Sequence, residues 1–307
     1  MTSFGGGEGL LEEKHWQVNV AHRWFKSDRH FVGTEEQKHR KAQGTEVIND
    51  SHFVDVTATY ALKQRLWLTL TFPFVHHDRS SLYEHLGNAS GQRFHTQAAG
   101  LADMRFGALY WMLDPAKHHR GNFNLGLSIK APTGDYKATD TFIRPTGPQL
   151  RYVDSSIQPG DGGWGVGVEA NGFIHLVGHL SGYANGSYLF NPRERVAATN
   201  FSVPDSYLLR AGVDYALPAA KGLALGVGLR WEGVPPEDVF GGSEGSRRPG
   251  YVISVEPGIS FTRGKLYASV SVPIALERNR QRTYGATRTG DAAFADYTVN
   301  STLAWRF

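Results

Sequence analysis

The feature that most constrains this chain is an alternation of apolar and polar side chains with a period of two, which returns in segment after segment. In an extended strand successive side chains point to opposite faces, so each such segment has one apolar and one polar face. The first carries Trp16, Val18, Val20, His22 and Trp24 against Gln17, Asn19, Ala21 and Arg23. A second, from His52 to Leu62, sets Val54, Val56, Ala58 and Tyr60 against Asp55, Thr57 and Thr59. In the third, Leu66, Leu68, Leu70, Phe72 and Phe74 oppose Arg65, Trp67, Thr69 and Thr71. Met104 to Met112, Phe123 to Ile129 and Trp164 to Ala170 repeat the pattern, while Leu180 to Phe190 shows it diluted by Gly182 and Gly186. Tyr207 to Leu217, Leu223 to Trp231, Tyr251 to Phe261, Leu266 to Ile274 and Tyr297 to Phe307 complete about twelve expected strands.

The connections alternate as well. Those around Lys63, Pro115 to Arg120, His175, Pro218 to Lys221 and Arg263 to Gly264 are short. Those spanning Ser27 to Asp50, His77 to Ala98, Pro132 to Gly160, Asn191 to Pro204, Pro235 to Pro249 and Glu277 to Ala293 are long and polar. Short turns at one end and long loops at the other are the layout of an outer-membrane barrel, whereas a soluble sandwich or propeller does not sort its loops this way. Composition agrees: mean hydropathy is −0.36, and no run approaches the roughly 20 apolar residues of a membrane-spanning helix, yet a barrel needs lipid-compatible residues only at every second position. Aromatics such as Trp16, Trp24, Trp231, Tyr251, Tyr297 and Trp305 stand at the ends of the apolar faces, as at two membrane interfaces.

The expectation is therefore an all-β, transmembrane, antiparallel up-and-down β-barrel of about twelve strands in the bacterial outer membrane. It has short periplasmic turns and long extracellular loops, and its lipid-facing side meets outer-membrane lipid. The barrel occupies residues 15–307, preceded by a segment, 1–14, that lies in the periplasm or enters the lumen as a small plug through Phe4 to Leu11. That start lacks a signal peptide's basic and apolar regions, which is expected of a mature chain with an added Met. The absence of cysteine suits export, and a net charge of +3 from scattered basic residues gives nucleic acid no support as a partner.

If the apolar faces meet lipid, the other faces line the lumen. They carry Arg23, Arg65, Arg105, Lys130, Arg210, Arg230 and Arg306, against Asp55, Asp103, Glu169, Asp214, Glu232 and Glu256. Of these, Arg23, Asp55, Arg105, Lys130, Glu169, Arg210, Asp214, Arg230 and Glu256 are the chief pore-lining candidates. Their near balance of charge is compatible with a narrow channel or with a web of ion pairs that fills the barrel. Pro73, Pro257 and Pro273 fall inside expected strands, where each removes a ladder hydrogen bond and favours a bulge or kink.

Histidines are abundant in the first two long loops, at His30, His39, His76, His77, His85 and His95, with Asp28, Glu35, Glu36, Asp50 and Asp78 nearby. No spacing among them matches a metal-ligand motif, so no metal or other cofactor is expected.

The segment Leu125 to Asp140, LGLSIKAPTGDYKATD, preceded by Gly100-Leu101-Ala102-Asp103, resembles the outer-membrane proteins assigned to transport in the meta-pathway of phenol degradation. The resemblance implies passage of small aromatic or other hydrophobic solutes. Within it, Pro132, Thr133, Gly134 and Asp135 form the loop motif, read as a strand-ending turn in which Pro132 cannot donate to a ladder and Gly134 permits positive φ. The last strand, ending on Phe307 with Trp305 and Leu303 in step, resembles the signal read by the barrel-assembly machinery.

A channel or uptake protein for small solutes is the leading expectation, and a plugged barrel acting through its extracellular loops is the alternative. A lipid-facing hydrolase is a remote one. His22 and Ser301 lie on the apolar faces of the first and last strands and resemble the lipid-facing serine and histidine of outer-membrane phospholipase A. The sequence offers no outward Asn or Asp to orient the histidine, so no catalytic residue is expected.

Overall fold

The computed structural model describes residues 10–82 and 91–307. Twelve antiparallel strands close into a barrel: β1 (Trp16–Val32), β2 (Ile48–Lys63), β3 (Leu66–Ser81), β4 (Phe94–Leu101, resumed as Arg105–Trp111), β5 (Gly121–Lys130) and β6 (Gly165–Val177). These are followed by β7 (Leu180–Phe190), β8 (Ser206–Ala216), β9 (Leu223–Val234), β10 (Gly250–Arg263), β11 (Leu266–Ser271, resumed as Ile274–Arg280) and β12 (Ala292–Arg306). Each strand pairs with its neighbours in sequence, and β12 returns to pair with β1, so the sheet has no free edge. Two backbone hydrogen bonds of 2.9 Å between Trp16 and Phe307 seal this seam at the end that carries the short turns.

The apolar faces point outward. Leu125, Leu127 and Ile129 on β5 and Leu225, Val227 and Leu229 on β9 are exposed, an arrangement suited to lipid. Outward aromatics meet in two belts. Trp16 and Tyr60 lie 4.6 Å apart near the short turns, and Tyr207, Trp231 and Tyr251 form a row near the long loops with ring separations of 5.1 and 6.2 Å.

Three strands run further than their apolar alternation. β1 has 17 residues and β2 and β3 have 16 each, against roughly 9–11 for a tilted strand crossing the hydrocarbon. The pairing continues through Ser27 opposite Asn49 and Asp78 opposite Gln97, within segments expected to be loops. Beyond the lipid neither face must be apolar, so the ladder continues where the sequence pattern fades.

Pro73 and Pro257 lie in unbroken strands, each opposite a break in the strand beside it, whereas Pro273 stands in a break of its own strand. Pro73 leaves β3 intact, and β4 is interrupted opposite it, where the Ala102 N–H donates to the Pro73 carbonyl at 2.8 Å. Pro257 leaves β10 intact, and β11 is interrupted at Val272 and Pro273. Above that break only Ile274 and Tyr297 remain in register between β11 and β12, and the Arg278 Nε bond to the Ala295 carbonyl, 3.0 Å, ties the two strands together.

Candidate functional site within the barrel lumen

The loop motif knots three chain segments. The Asp103 carboxylate, in the gap of β4, accepts from the backbone N–H of Gly134 at 2.9 Å and of Asp161 at 3.1 Å. Thr133 Oγ1 donates to the Ala102 carbonyl at 3.0 Å and accepts from the Met104 N–H at 2.9 Å. Lys130 Nζ lies 3.9 Å from Asp103 and also pairs with Asp161. Gly134 does not adopt positive φ, contrary to the expectation. Its reason is close approach, since a Cβ there would stand 2.8 Å from Gly160 Cα.

This joint turns the third long loop, residues 131–164, over the lumen. A short 3₁₀ turn, Ser155–Ile157, is capped by Asp154, whose side chain accepts from the Ser156 N–H. Arg248 grips the same carboxylate with two bonds of 2.8 and 2.7 Å, and Arg79, on the inner face of β3, approaches it at 3.6 Å. Burial pushes the Asp154 carboxyl up, but the Arg248 and Arg79 guanidiniums outweigh it and hold the group well below the usual carboxylate range. None of Arg79, Asp154 or Arg248 stands out in the sequence, because the partners are distant along the chain.

The pore-lining candidates all lie on inward faces, and most are already paired. Arg210 binds Glu256 through bonds of 2.9 and 3.2 Å, and Ser271 Oγ donates to Glu256 at 2.7 Å. Arg210 and Glu256 are 4% and 0% exposed, and Asp214, at 8%, is buried on the same strand as Arg210. Arg230 clasps Glu232 at 2.9 and 2.7 Å, and Arg23 approaches that carboxylate at 3.8 Å. Asp55 is buried near Arg23, and Glu169 packs over Gly126. Arg105 differs from the other cations: it is exposed to the lumen, and among the described residues it makes no ion pair. Arg65 and Arg306 serve the rim, Arg65 donating to the Trp111 carbonyl at 2.8 Å and Arg306 to Gln17 at 3.1 Å.

Between these groups lies a lumen cavity of about 910 Å³. Its walls include Arg23, Asp55, Arg105, Lys130, Glu169 and Arg230 and also two phenyl rings, Phe25 and Phe53. The rings stack at 5.7 Å, and the Arg23 guanidinium sits 4.5 Å from the centre of Phe53. Their inward placement follows from parity, since Phe25 is in step with Arg23 and Phe53 with Asp55. The sequence pattern invites them to be overlooked because an apolar residue is expected outside. Toward the short-turn end, Trp67, Trp111, Leu109 and Phe173 also face inward, and Leu10 and Leu11 pack onto them, Leu11 being 4% exposed. Residues 4–9 of the expected plug lie outside the described residues.

Among the described residues the loop histidines do not converge. His30 is buried, bonded to Asp291 at 3.0 Å and accepting the Val47 N–H at 2.8 Å. His77 pairs with Ser51 inside, whereas His95 pairs with Asp78 outside. His85 lies outside the described residues. On the lipid face His22 bonds His52 at 3.1 Å, and His52 stands 3.4 Å from Asp50, an outward acid that sequence reading missed. Ser301 is in register with His22 across β1 and β12, but among the described residues the ring's hydrogen-bond partner is His52 and not Ser301.

Comparison with solved structures finds the same fold. The COG4313 outer membrane channel from Pseudomonas putida F1 superposes with a TM-score of 0.64 at 14% identity, covering all of both chains. The beta domain of the Bordetella autotransporter BrkA gives 0.51 at 12% identity, covering 96% of this chain and 100% of its own. A comparison with curated protein sequences finds no match. The family model described as "Putative MetA-pathway of phenol degradation" matches residues 40–289, from the first long loop to the last. With the family model matching most of the sequence, this outer-membrane β-barrel belongs to that family.

Proposed function

We propose that the barrel is a channel for the passage of small aromatic or otherwise hydrophobic solutes across the outer membrane. The observation that carries this reading is the lumen cavity of about 910 Å³, walled by Phe25 and Phe53 as well as by charges. It is within the size range of sites that enclose a small molecule, and it is too broken by charge to be a structural core. The family description, which names phenol degradation, points the same way. Passage needs no chemical step, and the pore-lining residues act by setting width and charge. Leu10 and Leu11 then serve as a periplasmic stopper on the Trp67 and Trp111 floor. The strand ending at Phe307, sealed to Trp16, is the segment offered to the barrel-assembly machinery.

The test is solute entry into liposomes containing the purified, refolded barrel. Phenol and toluene should enter faster than into empty liposomes, and a disaccharide should not. Equal entry of all three with and without protein would refute the reading.

A further inference from the structure

Among the described pore-lining cations, one makes no ion pair. Arg105 on β4 stands directly opposite Lys130 on β5, and like charges so placed across a ladder repel. Lys130 is relieved by Asp161 and Asp103. Arg105 is not, and it faces the cavity that Phe25 and Phe53 also line. The carboxylates on these walls are mostly committed: Glu232 to Arg230, Asp103 and Asp161 to Lys130 and backbone N–H groups. Asp55 and Glu169 remain as negative neighbours.

Register sets the spacing. Arg105 is opposite Thr71 of β3 and Phe53 is opposite Val75. Those positions are four residues apart along β3, about 13 Å at roughly 3.3 Å per residue, and β2 and β4 lie two strand spacings, about 10 Å, apart across it, so the two backbone positions are separated by about 16 Å. Both side chains project from this wall into the same cavity of about 910 Å³, which leaves room between guanidinium and phenyl for one ring bearing one carboxylate. We infer that Arg105 and the Phe25–Phe53 pair form a subsite for aromatic monocarboxylates. The guanidinium takes the carboxylate through two parallel N–H donors, and the ring lies against the phenyl wall. A neutral aromatic would leave Arg105 unsatisfied, and a dicarboxylate would meet Asp55 and Glu169. This inference rests on the lumen being the solute path.

Calorimetric titration of the folded full-length protein in detergent, with benzoate, cyclohexanecarboxylate and phenol as probes, tests it. Benzoate should bind tightest. Arg105→Gln should weaken benzoate about tenfold or more while leaving phenol unchanged, with partial recovery in Arg105→Lys. Phe53→Leu should bring benzoate down toward cyclohexanecarboxylate, and it keeps the test available if Arg105→Gln does not fold. Benzoate binding no tighter than phenol, or unmoved by Arg105→Gln in a folded barrel, overturns the inference. Phenol flux into liposomes is read separately. Flux without a benzoate preference sinks the subsite alone, whereas the Arg105-dependent preference without flux of any solute upholds the subsite and sinks the channel reading.

Discussion

Leu11 is 4% exposed and lies among Ala61, Trp67 and Trp111, so its contacts can be converted into an occupancy for the stopper. Burying a leucine side chain contributes about 1.5–3 kcal/mol, and serine at that position would forfeit nearly all of it. At about 1.4 kcal/mol per factor of ten, the ratio of seated to unseated N-terminal segment falls by roughly tenfold to a hundredfold. Neighbouring anchors are unaffected, since the Lys14 N–H bond to the Ala61 carbonyl at 2.7 Å is made by backbone. The barrel should therefore assemble normally in Leu11→Ser while its periplasmic end opens more often. Planar-bilayer recording reads this directly: Leu11→Ser should raise the open fraction by about the same factor, up to saturation, and Leu11→Met should match the parent protein. Removing residues 1–13 should give the upper limit. An open fraction identical in all four proteins, each with the heat-modifiable mobility of a folded barrel, would refute the idea that Leu11 gates the floor.

Four further outcomes are expected. Asp154→Asn should loosen the third loop by about 1–2 kcal/mol, the pair being partly open to solvent, and lower amide protection at residues 155–157 about five- to thirtyfold. Because the folded Asp154 carboxyl is held below its unfolded value, its contribution is complete above the usual carboxylate range and is lost as pH falls through the depressed value. Protection in the parent should thus be flat from pH 7 to about pH 4.5 once intrinsic exchange is divided out. Gly134→Ala, which places a Cβ 2.8 Å from Gly160 Cα, should cost about 1–3 kcal/mol in urea unfolding through overpacking. Arg210→Met strands a fully buried Glu256 and should cost about 3–5 kcal/mol, most of it regained in Arg210→Met with Glu256→Leu.

What was legible in the sequence follows one rule. Wherever lipid demanded apolar side chains at every second position, as at Leu125, Leu127 and Ile129, strand, face and order could be read, and parity then put Arg210, Arg230 and Glu256 inside. Beyond the lipid the rule lapses, so the outer parts of β1, β2 and β3 were expected to be loops. Parity also says nothing about distance across the lumen: that Arg210 meets Glu256, or that Arg248 reaches Asp154, depends on barrel closure and loop folding. Phe25 and Phe53 escaped because an aromatic ring facing inward violates the expectation that makes barrels recognisable. Gly134 was read as a conformational need when its neighbour Gly160, distant in sequence, imposes a spatial one.

The joint at Asp103 also bears on how such a barrel diversifies. The Gly160 N–H donates to the Asp135 carbonyl at 2.9 Å, so the chain between them leaves and re-enters the wall at nearly one point. Residues 136–159 thus form a closed excursion with clamped ends, the kind of segment that accepts exchange without disturbing its base. Sieve and scaffold become separable modules. Transplanting that excursion between related barrels, with Asp103, Thr133, Gly134, Asp154 and Gly160 retained, would exchange the cover over the pore while keeping its ties to the wall.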